Sequence, residues 1–321
     1  MSEQEANVAS GSRERSHLLV RRVRTLVPKP VRRVLGHRYV WVAPAVLALF
    51  SLTVFPLLFL GYLSFHEWSL NIASRRNFVG LESYVEVLTS GEFIDSLVVT
   101  VLFTIASVLP EMILGTAIAL FIHTRLPDKL RAFLQSVLLL PMMMSYIAVG
   151  LLWRYLWDGS IGFINYLFQS VGLPAQGWLG DPTMAIVTVV IADIWQWTPF
   201  VILVVLAGLE GLPSEPFEAA KMAGASPLQT FRHITLPLLK PVLIVVLLFR
   251  IADAFRIFDK IWIMTRGGPG DASMSLSVLI YRESFQSGQF GTAAVMSIFM
   301  LVVISIIALT IIKQARKMGA I

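Results

Sequence analysis

The sequence predicts an all-α polytopic membrane protein with six transmembrane helices. Three observations carry this prediction. Of 321 residues, 56% are hydrophobic and only 14% charged, whereas soluble chains carry roughly 25% charged residues. The charges gather between long apolar runs instead of spreading along the chain. Those runs reach about 20 residues or more, the length that crosses the hydrocarbon core of a bilayer. A soluble enzyme, a fibrous chain and a disordered chain are thereby excluded. The same runs argue against a β-barrel, whose strands alternate in short segments. With no cysteine in the chain, a disulfide framework, a thiol nucleophile and a thiolate metal site are excluded too.

The spans follow in order. Tyr39 to Leu63 is free of charge. It begins too late, is too long and lacks the small-residue cleavage site of a signal peptide, so it reads as a permanent helix. The second run lies between Asp95 and His123, interrupted only by Glu111. The third lies between Arg131 and Arg154 with no charge, and the fourth between Asp181 and Glu210, interrupted only by Asp193. The fifth lies between Lys240 and Lys260. Pro241 to Phe249 is apolar there, but Arg250, Asp253, Arg256 and Asp259 follow. The sixth lies between Glu283 and Lys313.

Lys and Arg set the orientation. Residues 1–38 form a basic leader with nine of them, from Arg13 to Arg38. The loop after the second span adds Arg125, Lys129 and Arg131, the loop after the fourth adds Lys221, Arg232 and Lys240, and the tail, residues 314–321, adds Arg316 and Lys317 beside Lys313. All fall on one side, which is therefore expected to be cytoplasmic, with both termini inside. The first outer loop is acidic, with Glu67, Glu82, Glu86, Glu92 and Asp95 against Arg75 and Arg76. The leader reads as a topology signal that touches anionic lipid head groups, not as a nucleic-acid arm.

One inner loop, residues 210–237, is long. It reads as two short helices with a turn. Ser214 is placed to cap the first, with Pro216 tolerated in its first turn. Gly224 is placed to stop it in a left-handed conformation. Ser226 caps the second, with Pro227 at its first position and Gln229 completing a capping box. Pro237 marks its end before the fifth span. A DNA-reading helix-turn-helix is disfavoured by the few basic residues and the flanking spans.

The same loop carries Glu218-Ala219-Ala220, then three residues, Gly224, nine residues, and Ile234-Thr235-Leu236-Pro237. This pattern resembles the EAA signature of ABC importer permeases. Asn77 to Tyr84, Gly162-Phe-Ile-Asn165, Trp197-Thr-Pro-Phe200, Thr265-Arg-Gly-Gly-Pro269, and Tyr281, Phe285, Gly291, Ala293 and Ala294 resemble motifs of the carbohydrate-uptake branch of that family. The wording from Asp253 to Asp259 is similar to its first-partner, maltose-permease F-type member. The resemblance spans Tyr39 to Lys313 and implies a type I ABC importer permease core over residues 39–313. The large outer domain of the maltose permease is missing, so its contacts do not carry over. By resemblance, the loop is the coupling helix that enters a cleft of a cytoplasmic ATPase, Glu218 pairs with a basic residue there, and Gly224 allows the turn. The alternative is that Ala219, Ala220 and Gly224 are small residues for close helix contact. The resemblance further implies a bacterial cytoplasmic membrane, a second permease subunit, two ATPase copies holding ATP and Mg, an extracytoplasmic binding protein and a sugar-type substrate. No cofactor is expected in this chain.

Ionisable residues inside spans are functional candidates. Arg250, Asp253, Arg256 and Asp259 are spaced by three, so they are expected to form one stripe on a helix. Lipid does not tolerate such a stripe, which must face protein or water. One reading places Asp253, Arg256 and Asp259 on a sugar path, with Phe255 and Phe258 as ring faces and Gln196 as a further candidate. The other has the four charges pair among themselves or with the partner permease. Trp195 reads as packing. Met142, Met143 and Met144 read as flexible packing, not a metal relay. The substrate stays open among a neutral disaccharide, a polyol and an anionic sugar, with Arg250 and Arg256 suited to phosphate or sulfonate.

No phosphate loop, zinc-protease helix or triad pattern is present in the sequence, so no catalytic or metal site is expected and the energy comes from a partner. The rival reading is an ion-coupled secondary carrier using Asp253, Asp193 or Glu111, a class in which inverted repeats are expected; none is visible.

Overall fold

A computed structural model describes residues 38–69 and 76–317. All but Arg38 of the basic leader, Arg75 and the last four residues of the tail lie outside them. The chain divides into two units between Gly61 and Tyr62.

In the first unit, α1 (Arg38–Leu49) passes through a π turn, Phe50–Val54, into α2 (Phe55–Ser64), whose last three residues belong to the second unit. Pro56 stands just after that turn. A proline ring would clash with the carbonyl of residue i−4 in a regular helix, and the wider turn, closed by Phe55 N–H to Phe50 O, relieves the crowding. The same device recurs at Pro237, where Leu236 N–H bonds to Phe231 O. The expected helix end at Pro237 is therefore corrected. The chain runs helical from Pro227 to Ala254.

The second unit opens with the antiparallel strands β1 (His66–Trp68) and β2 (Arg76–Phe78) and the short helix α3 (Glu82–Thr89). The spans follow as α4 (Gly91–Arg125), α5 (Asp128–Met143) with α6 (Tyr146–Leu156), α8 (Pro182–Glu210), α11 (Leu236–Ala254) and α14 (Phe290–Lys317). Between them stand α7 (Phe163–Ser170), α9 (Glu215–Met222), α10 (Pro227–Thr230), α12 (Asp259–Met264) and α13 (Leu276–Tyr281). Among the described residues, five helices are long and apolar enough to cross a membrane. The third expected span is not one helix. α5 and α6 meet at 90°. Met144 is extended there, and the Ser145 hydroxyl accepts from Ala148 N–H, which starts a new helix. Local capping thus broke a run that hydropathy alone reads as continuous.

α4 and α8 form the centre of the bundle. Gly115 of α4 lies so close to Val201 of α8 that a Cβ would stand 2.6 Å from the Val201 Cβ. Lipid tails are as apolar as the side chains, so such close contact supplies packing that the hydrophobic effect does not. Two apolar clusters hold the bundle. One gathers Phe103, Val189, Phe255, Ile261 and Leu279. The other gathers Ala119, Val201, Val205, Leu239 and Val246. Along α4, α8 and α11, three charged residues, Glu111, Asp193 and Arg250, fall between the two clusters.

Candidate functional site

The loop between the fourth and fifth spans folds as the sequence predicts, apart from the helix that runs on through Pro237 and one further exception. Gly224 has φ +68°. Ala225 N–H bonds to Ala220 O and Gly224 N–H to Lys221 O, so the end of α9 is a Schellman turn. The Ser226 hydroxyl accepts from Gln229 N–H while the Gln229 side chain accepts from Ser226 N–H, which completes the capping box. Ser214 is the exception. Its backbone is helical and its hydroxyl makes no cap; an N-cap needs an extended residue. Glu218 and Ala219 are exposed while Ala220 is buried. Met222 is 88% and Leu228 73% exposed, so the loop presents a carboxylate beside two apolar knobs. At its base, Arg131 donates to His123 O and lies 3.5 Å from Glu210, which ties α4, α5 and α8 together.

At the junction of the two clusters the intramembrane charges converge. Arg250 of α11 is fully buried and makes a bidentate pair with Glu111 of α4, at 2.6 and 3.0 Å. Its Nη2 also donates to Asp193 of α8 at 2.8 Å, and its Nη1 to Asp253 at 2.7 Å. The other oxygen of Asp193 accepts from Lys260 of α12, which is fully buried. Trp197 covers the guanidinium at 4.6 Å, and the Tyr146 ring lies 5.3 Å from the Lys260 ammonium. Three carboxylates meet two cations. Forked, charge-assisted bonds of this kind are the strong ones, and in low dielectric each charge needs its partner.

The structure corrects the expected stripe. α11 stops at Ala254 and Asp259 begins α12, so the four charges do not share one helix. Arg250 keeps its pair with Asp253, three residues on, and turns also to carboxylates on α4 and α8. Asp253 is the half-buried member, with a side chain 24% exposed, and its Oδ1 lies 3.4 Å from the Tyr146 hydroxyl. Arg256 is exposed and its Nε donates to Ala252 O. Phe255 is buried in the first cluster. Phe258 is half-buried, stacks on Trp262 and meets Tyr281 at a tilt of 50°. Gln196 is buried and donates to Met144 O, the carbonyl freed by the break between α5 and α6. Trp195 packs edge-on against Trp153.

Sequence reasoning missed Lys260, which it used only to bound the fifth span. The signal available was a lysine at the edge of an apolar run beside an unpaired intramembrane Asp193. It also missed the role of Asn165. This side chain donates to Gly159 O and Gln176 O and accepts from Gln176 N–H and Trp178 Nε1–H, which fixes the loop from residue 158 to residue 178.

The family described as binding-protein-dependent transport system inner membrane component matches residues 111–317. The trehalose/maltose transport system permease protein MalF of Thermococcus litoralis is 37% identical over 278 residues, 87% of this chain and 93% of that protein. The trehalose transport system permease protein SugA of Mycobacterium tuberculosis is 32% identical over 275 residues, 86% of this chain and 87% of that protein. A crystal structure of a bacterial ABC transporter involved in the import of the acidic polysaccharide alginate contains a similar chain. The TM-score is 0.77 at 23% identity, over 87% of this chain and 94% of the matched one, a likeness of fold. These similarities give the ion-coupled carrier no support.

Proposed function

This chain belongs to the binding-protein-dependent transport system inner membrane components, and from that premise we propose that it is a permease subunit of an ATP-driven ABC importer for a sugar or sugar derivative. The observation that carries the coupling role is the exposed two-helix loop between α8 and α11. It holds Glu218 on a helix ended by Gly224 and flanked by the exposed Met222 and Leu228. An exposed, capped helical element of this kind is suited to transmit motion as a body. The rest of the assembly follows from the family. A second permease completes the path, two ATPase copies bind ATP and Mg and seat on the loops, and a binding protein outside delivers the cargo. The leader, the loop at 210–237 and the tail then lie in the cytoplasm. This chain supplies no catalytic group. Closure of the ATPases pushes the loops, the helix bundles rotate, and Asp253, with Tyr146 and the residues around the break after Ala254, meets the cargo.

Glu218→Ala tests the coupling. Uptake should be lost while the complex still assembles and its ATP hydrolysis no longer responds to the loaded binding protein. Undiminished uptake with this variant would overturn the reading.

A further inference from the structure

We infer that this permease admits uncharged sugars and rejects anionic ones, and that Asp253 makes the distinction. The inference rests on the transport reading above and narrows its cargo. An arginine is the side chain best suited to grip phosphate, sulfonate or carboxylate in a fork. Arg250 is not available for that work. Its Nε, Nη1 and Nη2 already donate to Glu111, Asp193 and Asp253, and Trp197 covers its face. It has no exposed surface. Lys260 is likewise buried and held by Asp193.

The accessible member of the cluster is a carboxylate. Asp253 is part-exposed in a helix that crosses the membrane. Hydrocarbon does not accept such a group, so this face meets water or a polar cargo. An ionised carboxylate only accepts hydrogen bonds. It receives the hydroxyl donors of a neutral sugar and repels a second anion. Around it the chain sets matching features. Tyr146 lies 3.4 Å away through its hydroxyl. Tyr146, Trp197, Phe200 and Phe249 form a continuous ring patch, with centroids 5.0 to 6.2 Å apart, suited to the apolar faces of a pyranose. Nearby Arg256, exposed and bonded to Ala252 O, is the residue that would bind an anion if the inference were wrong.

The test is competition uptake with the whole transporter. Neutral disaccharides compete with their 6-phosphate and uronate counterparts against a labelled neutral disaccharide. The wild type should favour the neutral member by more than about tenfold, because like-charge juxtaposition costs several kcal/mol and tenfold needs only 1.4. Asp253→Asn leaves the binding protein unchanged, so a shift in this ratio belongs to the permease. The ratio should fall by about tenfold or more in Asp253→Asn and be restored in Asp253→Glu. Equal or better competition by the anionic sugars, abolished by Arg256→Gln, would overturn the inference and leave sugar transport standing. A ratio unchanged in Asp253→Asn overturns it also. Uptake of no sugar at all overturns both readings.

Discussion

Replacing Arg250 with methionine removes a cation that holds three carboxylates on three helices. The structure says where the cost falls. Asp193 keeps Lys260, and Asp253 is part-exposed. Glu111 is left fully buried, with no other cation pairing it among the described residues. Stranding one buried charge costs about 3–5 kcal/mol. Equilibrium unfolding in mixed micelles should show Arg250→Met destabilised by that amount. Because the stranded charge is Glu111, Glu111→Gln should rescue it, with a coupling of about 2 kcal/mol in the double-mutant cycle. Asp253→Asn should not. A loss no larger than one ordinary hydrogen bond, about 1 kcal/mol, would refute the argument. So would rescue by Asp253→Asn in place of Glu111→Gln.

Two further outcomes follow from packing and from pH. Gly115→Ala puts a methyl group 2.6 Å from the Val201 Cβ, and overpacking of this kind costs about 1–3 kcal/mol; the melting temperature should fall and recover in part with Val201→Gly, and an unchanged melting temperature contradicts the close α4–α8 approach. Asp158 lies outside the spans, where the backbone N–H groups of Ile161 and Ser160 hold its carboxyl below the usual carboxylate range. A depressed folded pKa stabilises the loop above the unfolded value and loses that effect as pH falls through the folded one. Protection of the Ser160 and Ile161 amides, taken against the intrinsic exchange rate at each pH, should therefore fall in acid, and Asp158→Asn should remove that pH dependence; protection profiles equal in both proteins would contradict the cap.

Much of the candidate site was legible because its chemistry is local. Ser226 and Gln229 are three residues apart, and the capping box they predict forms. Gly224 follows α9 by two residues and takes the positive φ expected of it. The intramembrane charges could be recognised as exceptional one by one, since hydrocarbon tolerates none of them unpaired. One partner could be recognised, since Asp253 stands three residues from Arg250 and pairs with it; the others could not. A spacing of three predicts neighbours on one helix, but Arg250 and Glu111 are 139 positions apart, and the chain unwinds after Ala254 before the stripe can form.

The sequence by itself determined that the chain spans a membrane, how many apolar runs it holds, and the turn at Gly224 and cap at Ser226 in the loop at 210–237. These depend on run length, on proline and glycine, and on side chains that cap their own backbone. Tertiary structure decided what those properties leave free. It satisfied the carbonyl that the local break at Met144 exposes, through Gln196 of another helix. It turned Arg250 inward and left Asp253 at the accessible side. In low dielectric a charge takes whichever partner the packed helices bring within hydrogen-bond reach, and that distance is not written in the spacing of residues along one helix.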